Sequence, residues 1–205
     1  MRRGWIAALG CIGVLVVFGG IAAVWAGGRY NHLVSLQEDV QSQWAQVESV
    51  YQRRADLIPN LVATVKGSAK FEQDTLRQVV EARSRVGQVA PQVGPNTPND
   101  PQAFARFAQA QDQLSGALSR LLVVVERYPE LKSTAAFQEL MASLEGTENR
   151  IAVERRRYNE VARNFNVTRR GVPTIWLINI LGWDFPPKAY FAAQPGAQNA
   201  PKVEF

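Results

Sequence analysis

Residues 5–26 read WIAALGCIGVLVVFGGIAAVWA. No charged residue occurs from Gly4 to Gly28. As a helix this run is roughly 33 Å long at about 1.5 Å per residue, which matches a bilayer core of about 30 Å. Trp5 and Trp25 close its two ends, where amphipathic rings favour the membrane interface. A cleaved signal peptide is the first rival reading, with Ala7, Ala23 and Ala26 as small residues for cleavage, but its apolar core is typically only about 7–15 residues. A lipoprotein reading would use Ala8-Leu9-Gly10-Cys11, where the apolar run before the cysteine is very short and a long one follows. Cys11 reads instead as a small apolar filler in a transmembrane helix. Arg2, Arg3 and the α-amino group precede the span and only Arg29 follows closely, so Lys/Arg counting places the short N-terminus in the cytoplasm.

Outward from the span, apolar residues recur at alternating spacings of three and four, the signature of helices with one buried face. The first seam is Leu33, Gln37, Val40, Trp44, Val47, Tyr51, Arg54, Ile58; the second is Val62, Val65, Ala69, Glu72, Leu76, Val79, Arg83, Val86. The third is Phe104, Phe107, Gln111, Leu114, Leu118, Leu121, Val125, Tyr128; the fourth runs Phe137, Leu140, Leu144, Thr147, Ile151, Glu154, Tyr158, Val161, Phe165. Pro59 and Pro129 interrupt the pattern, and APQVGPNTPNDP over 90–101 reads as a turn-rich surface loop. Four one-sided helices must pack on one another. The expected fold is therefore all-α: an N-terminal transmembrane helix, then an antiparallel four-helix bundle, then a short apolar C-terminal segment. The corresponding boundaries are 1–28 for the anchor, 29–171 for the bundle and 172–205 for the apolar and aromatic segment with its tail. Pro59 is expected to mark a turn between the first two helices, with a kinked continuous helix as the alternative. Asp100-Pro101 suits an N-cap followed by proline, and Ser133 or Thr134 can cap the fourth helix.

The composition narrows the chemistry. The 205 residues carry a net charge of +5, one cysteine and one histidine. A single cysteine forbids an intramolecular disulfide. His32 has no Glu three residues before it, so a di-iron bundle fails. Nucleophile–His–acid arrangements lack their histidine, and no glycine-rich phosphate loop is present. Glu145 and Glu148 share one helical face and read as solvated or capping carboxylates. No cofactor, no metal, no small-molecule substrate and no enzymatic activity are expected. Arg155-Arg156-Arg157 points in three directions about 100° apart without interleaved aromatics, so nucleic acid is not expected either.

Longer motifs follow the span: Tyr30-Asn31-His32-Leu33-Val34, then Arg53-Arg54-Ala55-Asp56-Leu57-Ile58-Pro59-Asn60-Leu61-Val62 and Val65-Lys66-Gly67. Further on stand Leu118-Ser119-Arg120-Leu121, Val125-Glu126-Arg127-Tyr128-Pro129-Glu130-Leu131-Lys132, Leu144-Glu145-Gly146-Thr147-Glu148-Asn149-Arg150-Ile151 and Arg156-Arg157-Tyr158-Asn159. In this order the chain resembles the LemA family of bacterial membrane proteins over nearly its whole length. The resemblance implies a single-pass helical-bundle protein with the short N-terminus outside the cell, opposite to the charge count. It supplies no catalytic residue.

Three groups of residues stand out as candidates. Counted from turns at Ile58/Val62 and Tyr128/Ser133, Arg83 and Glu154 each lie 21 residues along their helices. They are expected to pair in a buried ionic layer that fixes register, unless both side chains snorkel to solvent. The same turns would gather Arg53, Asp56, Asn60, Glu126, Arg127 and Lys132 at the tip farthest from the membrane, either as a recognition surface or as helix caps with an Arg54–Glu126 bridge. Arg163, Arg169, Arg170, Trp176 and Trp183, with Arg29, are expected near the membrane interface. The run Ile175–Leu181 is too short to span; it docks on lipid, folds back over residues such as Phe107 and Phe165, or meets another subunit. The function these features suggest is an interaction or scaffold protein in the bacterial cytoplasmic membrane. Its partners are the lipid bilayer and a protein or a second copy of itself; the alternative is an accessory or regulatory subunit of a membrane enzyme such as a protease.

Overall fold

The computed structural model describes residues 2–66 and 72–192, with side-chain environments from Ile12 onward. Expectations for Trp5, Cys11, Ala69 and positions 193–205 fall outside what is described. The protein is all-helical: α1 (Arg2–Lys66), α2 (Gln73–Val89), α3 (Pro101–Val125), α4 (Pro129–Lys132), α5 (Ala135–Arg170) and α6 (Thr174–Leu181), with no strand among the described residues. Two short 3-10 turns, Ala90–Gln92 and Thr97–Asn99, fill the link between α2 and α3.

The first helix is a single 65-residue rod that crosses positions 28 and 29 without a break. Its early part is apolar on all sides and unpacked, with Leu15 70% and Val24 79% exposed. From Leu33 onward one face is buried: Val40, Trp44, Val47, Tyr51, Arg54, Ile58, Leu61, Val62 and Val65. The expected turn at Pro59 is therefore corrected to a continuous helix. Pro59 lies on the exposed side, so its ring disturbs no packing. It removes one donor, the N–H that would reach the carbonyl of residue 55. Arg83 supplies a replacement, its Nε donating to the Ala55 carbonyl at 3.2 Å. The second seam consequently divides: Val62 and Val65 belong to α1, while Leu76 and Val79 belong to α2.

Two apolar clusters lie along the rod. The one farther from the span joins Ile58, Leu61 and Val65 to Leu76, Val79, Leu114, Leu121, Phe137 and Leu144. The nearer one joins Leu33, Val40, Trp44 and Tyr51 to Phe104, Phe107, Tyr158, Phe165, Phe185 and Phe191. Several of its aromatic rings meet edge-on, as Trp44 does with Phe107 at 5.2 Å and with Tyr158 at 5.5 Å, an arrangement their quadrupoles favour, while Phe104–Tyr158 and Trp44–Phe191 are stacked. Asp100 caps α3, accepting from the Gln102 and Ala103 amides at 2.8 and 3.1 Å. Thr134 precedes α5, yet its hydroxyl donates to the Leu131 carbonyl at 2.8 Å instead of capping the helix.

After α6, Gly182 takes a left-handed conformation (φ 66°) and the Trp183 amide returns to the Ile178 carbonyl at 3.1 Å. This closes the helix in the manner glycine permits. Residues 183–192 then run back, without regular structure, across α1, α5 and the Thr97–Asn99 turn.

Candidate interaction surfaces

Arg54 is the buried charge at the centre of the protein. It is fully enclosed, and its guanidinium is held from three helices. Nη1 donates to Ser115 Oγ at 2.6 Å and to Glu148 at 2.8 Å; Nη2 donates to the Gln111 carbonyl at 3.1 Å and to Gln111 Oε1 at 2.5 Å. The guanidinium also sits 5.0 Å from the centre of the Tyr51 ring, a favourable cation–π position. Burying a charge is costly unless it is paired and hydrogen-bonded; four bonds serve the two terminal nitrogens here, while Nε is buried without a hydrogen-bond partner.

The expected Arg83–Glu154 pair does not form. Arg83 is exposed and spent on Ala55, while Glu154 accepts from Gln43 Nε2 at 2.6 Å and from Arg157 at 2.9 Å. The count failed because it started from a turn that Pro59 does not make. Glu148, read as a solvated carboxylate, is instead the partner of Arg54, and the Arg54–Glu126 bridge is replaced by it. Three arginines in a row diverge: Arg155 reaches Asp112, Arg157 reaches Glu154, and Arg156 is exposed.

The six tip residues also separate. Lys132 pairs with Glu126 at 2.6 Å, and Arg127 pairs with Glu72 at 3.2 Å, around the link between α3 and α4. Asp56 accepts from Gln52, within α1. Because α1 continues to Lys66, Arg53 and Asp56 lie 13 and 10 residues short of its end, roughly 20 and 15 Å down the rod. Asn60, exposed like them, lies between the two groups.

A surface that the sequence did not reveal lies between α3 and α5. Leu61 of α1 forms part of its floor, Leu118 and Leu122 line one wall, and Met141 and Leu144 line the other. Asp112, Glu145 and Glu148 rim this cavity of about 540 Å³. It continues into a second, of about 420 Å³, that shares Leu122, Met141 and Glu145 and ends at Glu126, Lys132 and Phe137. Leu122 is 37% and the neighbouring Val123 71% exposed. Individual exposed leucines are ordinary; here Leu122 stands at the opening of a trough whose other leucines, Leu61, Leu118 and Leu144, are buried.

The returning segment at 183–192 is fastened by side-chain amides of α5. Asn166 both donates to the Lys188 carbonyl at 2.8 Å and accepts from the Lys188 amide at 2.9 Å. Asn159 does the same with Phe191, both bonds being 2.9 Å. Tyr158 donates to Ala189 at 2.9 Å, and Arg169 donates to the Phe185 carbonyl. Phe185 and Phe191 are thereby buried, beside Phe165 and Phe104 respectively. Of the three placements open for the C-terminal segment, this part folds back over the helices. Lys188 is buried with it, donating to Gln37 at 3.2 Å and Asn99 at 2.5 Å and lying 4.4 Å from the Phe165 ring centre. Burial pulls its ammonium down to about 8. Trp183 is half-buried against Tyr30, at 5.1 Å between rings, whereas Trp176 remains 59% exposed. Arg163 and Arg170 are exposed on α5.

An N-terminal helix long and apolar enough to cross a membrane runs without a break into an all-helical body, the architecture of a membrane-associated helical protein. The chain belongs to the LemA family, whose model matches residues 43–205. It is 31% identical over 210 residues to Magnetosome protein MamQ 2 of Paramagnetospirillum magneticum, covering 95% of this chain and 75% of that protein. It is 32% identical over 181 residues to Magnetosome protein MamQ of Magnetospirillum gryphiswaldense, covering 82% and 66%. Protein LemA of Metamycoplasma hominis is 24% identical over 139 residues, 68% of this chain and 58% of that protein.

Proposed function

We propose that this protein is a membrane-anchored interaction module of the bacterial cytoplasmic membrane, a four-helix antiparallel bundle that offers the trough between α3 and α5 to a partner protein. The antiparallel arrangement is supported by the pairs Trp44–Tyr158 and Arg54–Glu148, whose residue numbers both add to 202. The observation that carries the reading is the trough itself, an apolar floor rimmed by Asp112, Glu145 and Glu148. From Asp112 to Val125 it extends 13 residues along α3, roughly 20 Å. Asp112 and Glu148 are paired with Arg155 and Arg54, so the length, the apolar lining and Glu145 at the rim suit the apolar face of a short amphipathic helix with a basic residue facing Glu145, the helix-in-groove mode of recognition. No described cluster and no relative points to the accessory-subunit alternative.

The test is a photo-crosslinking amino acid placed at Leu122 of the full-length protein in native membranes, with Val80 on the outer side of α2 as the control position. The module reading expects a discrete adduct from Leu122, absent from Val80 and reduced by Glu145→Lys. Equal labelling from both positions, or no adduct at Leu122, would remove the trough from the account. An adduct containing only a second copy of the chain would replace the foreign partner by a homo-oligomer.

A further inference from the structure

We propose that α6 is a foot that docks on the same bilayer that α1 crosses, with Trp176, Ile180 and Leu181 in the lipid interface and Arg29 and Arg170 on anionic headgroups. The proposal rests on α1 being the membrane span. In the antiparallel register given by Trp44–Tyr158 and Arg54–Glu148, the last residue of α5, Arg170, stands level with about position 32 of α1. The uncharged stretch ends at Gly28. The start of α6 therefore lies within about one helical turn of the membrane surface. An independent contact gives the same height: Trp183, just after α6, packs on Tyr30, two residues beyond the span.

The helix is two-sided. Thr174 and Ile178 are buried against the membrane-proximal core, while Trp176 is 59%, Ile180 78% and Leu181 51% exposed. Val172, immediately before α6, is 66% exposed as well. Trp176 and Ile180 are four apart within α6, so they line one side of the helix. A contiguous apolar face of this kind on a soluble surface is a liability or an interface. Here it begins where the bilayer begins, which identifies the lipid surface as its cover. Tryptophan prefers that depth, and basic side chains near anionic headgroups add attraction. Arg29 and Arg170 stand at this level, with Arg29 over the Trp25 ring at 5.5 Å. Asp184 opposes them by one charge and is exposed. Arg163 leaves the set: in the same register it is level with about position 39, roughly 16 Å above Gly28, beyond the screening length of about 8 Å at physiological salt. Arg169 is turned inward to the Phe185 carbonyl.

The experiment places nitroxide labels on the full-length chain in nanodiscs of mixed phosphatidylcholine and phosphatidylglycerol, in a Cys11→Ala background. Ile180→Cys and Leu181→Cys are the test positions; both side chains are exposed, so folding is not at stake. Val24→Cys is the bilayer reference and Val123→Cys the aqueous one. Collision with oxygen against a water-soluble nickel chelate reads depth. The foot predicts an oxygen-to-nickel ratio at both test positions several-fold above that at Val123, and a lower ratio at Ile180 when the anionic lipid is replaced by neutral lipid. Ratios equal to Val123 while Val24 stays lipid-like would overturn the foot and leave the span standing. An aqueous Val24 would overturn the span itself. An unchanged ratio in neutral lipid would overturn the headgroup contacts, and spin–spin broadening between labels at Ile180 would assign the face to a second copy.

Discussion

Arg54 of α1 and Glu148 of α5 are joined at 2.8 Å, with the arginine fully enclosed and the carboxylate 40% exposed. The pair lies where α1, α3 and α5 meet, between the two apolar clusters, and Gln111 and Ser115 complete it from α3. It locks three helices at one level. Losing one half of a buried pair typically costs about 3–5 kcal/mol because the other half is left uncompensated. Glu148→Gln leaves the enclosed guanidinium without its opposite charge and is expected to destabilise by that amount. Arg54→Met removes the buried charge, lets the 40% exposed Glu148 turn to water, and is expected to cost only about 1–3 kcal/mol for the Gln111 group left without its donor. Urea unfolding of both variants in detergent measures the difference; a smaller loss in Glu148→Gln than in Arg54→Met would contradict the dependence of the guanidinium on that carboxylate.

The returning segment at 183–192 makes a second prediction. Asn166→Ala deletes both bonds to Lys188, and unsatisfied buried backbone groups cost about 1–3 kcal/mol each. Hydrogen exchange should show loss of protection at the Lys188 amide first, with Phe191 still held by Asn159. In the double variant with Asn159→Ala both amides should exchange freely while α1 and α3 stay protected. Loss of protection throughout the protein would mean that the segment is needed for the whole core and is not a local strap.

Lys188 gives the chain a pH signature. Its ammonium is pulled from 10.5 to about 8 by burial in the folded protein, so between these values the unfolded chain binds more protons than the folded one. Stability contributed at this site is therefore present above about 10.5 and is lost as pH falls toward 8. The melting temperature of the wild type minus that of Lys188→Met should rise with pH across this window and be flat below it. A difference that falls with rising pH would contradict the burial of this ammonium.

Much of this architecture is written in the spacing of apolar residues. The seams of α1, α3 and α5 match buried faces because each helix presents one stripe to its neighbours, and Asp100-Pro101 marks the start of α3. Pro59 misled because proline is read as a break, although the stripe Tyr51, Arg54, Ile58, Leu61/Val62, Val65 keeps its phase straight through it. With the turn misplaced, heights along the second helix were wrong, and Arg83 was paired with Glu154 in place of Arg54 with Glu148. The segment at 183–192 has no periodicity to read, since Asn159 and Asn166 hold its backbone and not its side chains. The trough between α3 and α5 is a property of how two helices are spaced, which neither sequence alone encodes.

The module depends on α1 being one rod that carries the bilayer span directly into the distal core. Spin labels at the exposed positions Glu38→Cys and Lys66→Cys, in a Cys11→Ala background, test this in the full-length protein. They are 28 residues apart on α1, which as an unbroken helix is about 42 Å. A distance distribution centred near that value is predicted. A chain that reversed at Pro59 would bring the two positions to about 23 Å, counting 14 residues of rise and one interhelical spacing, and a distribution there would contradict the continuous helix.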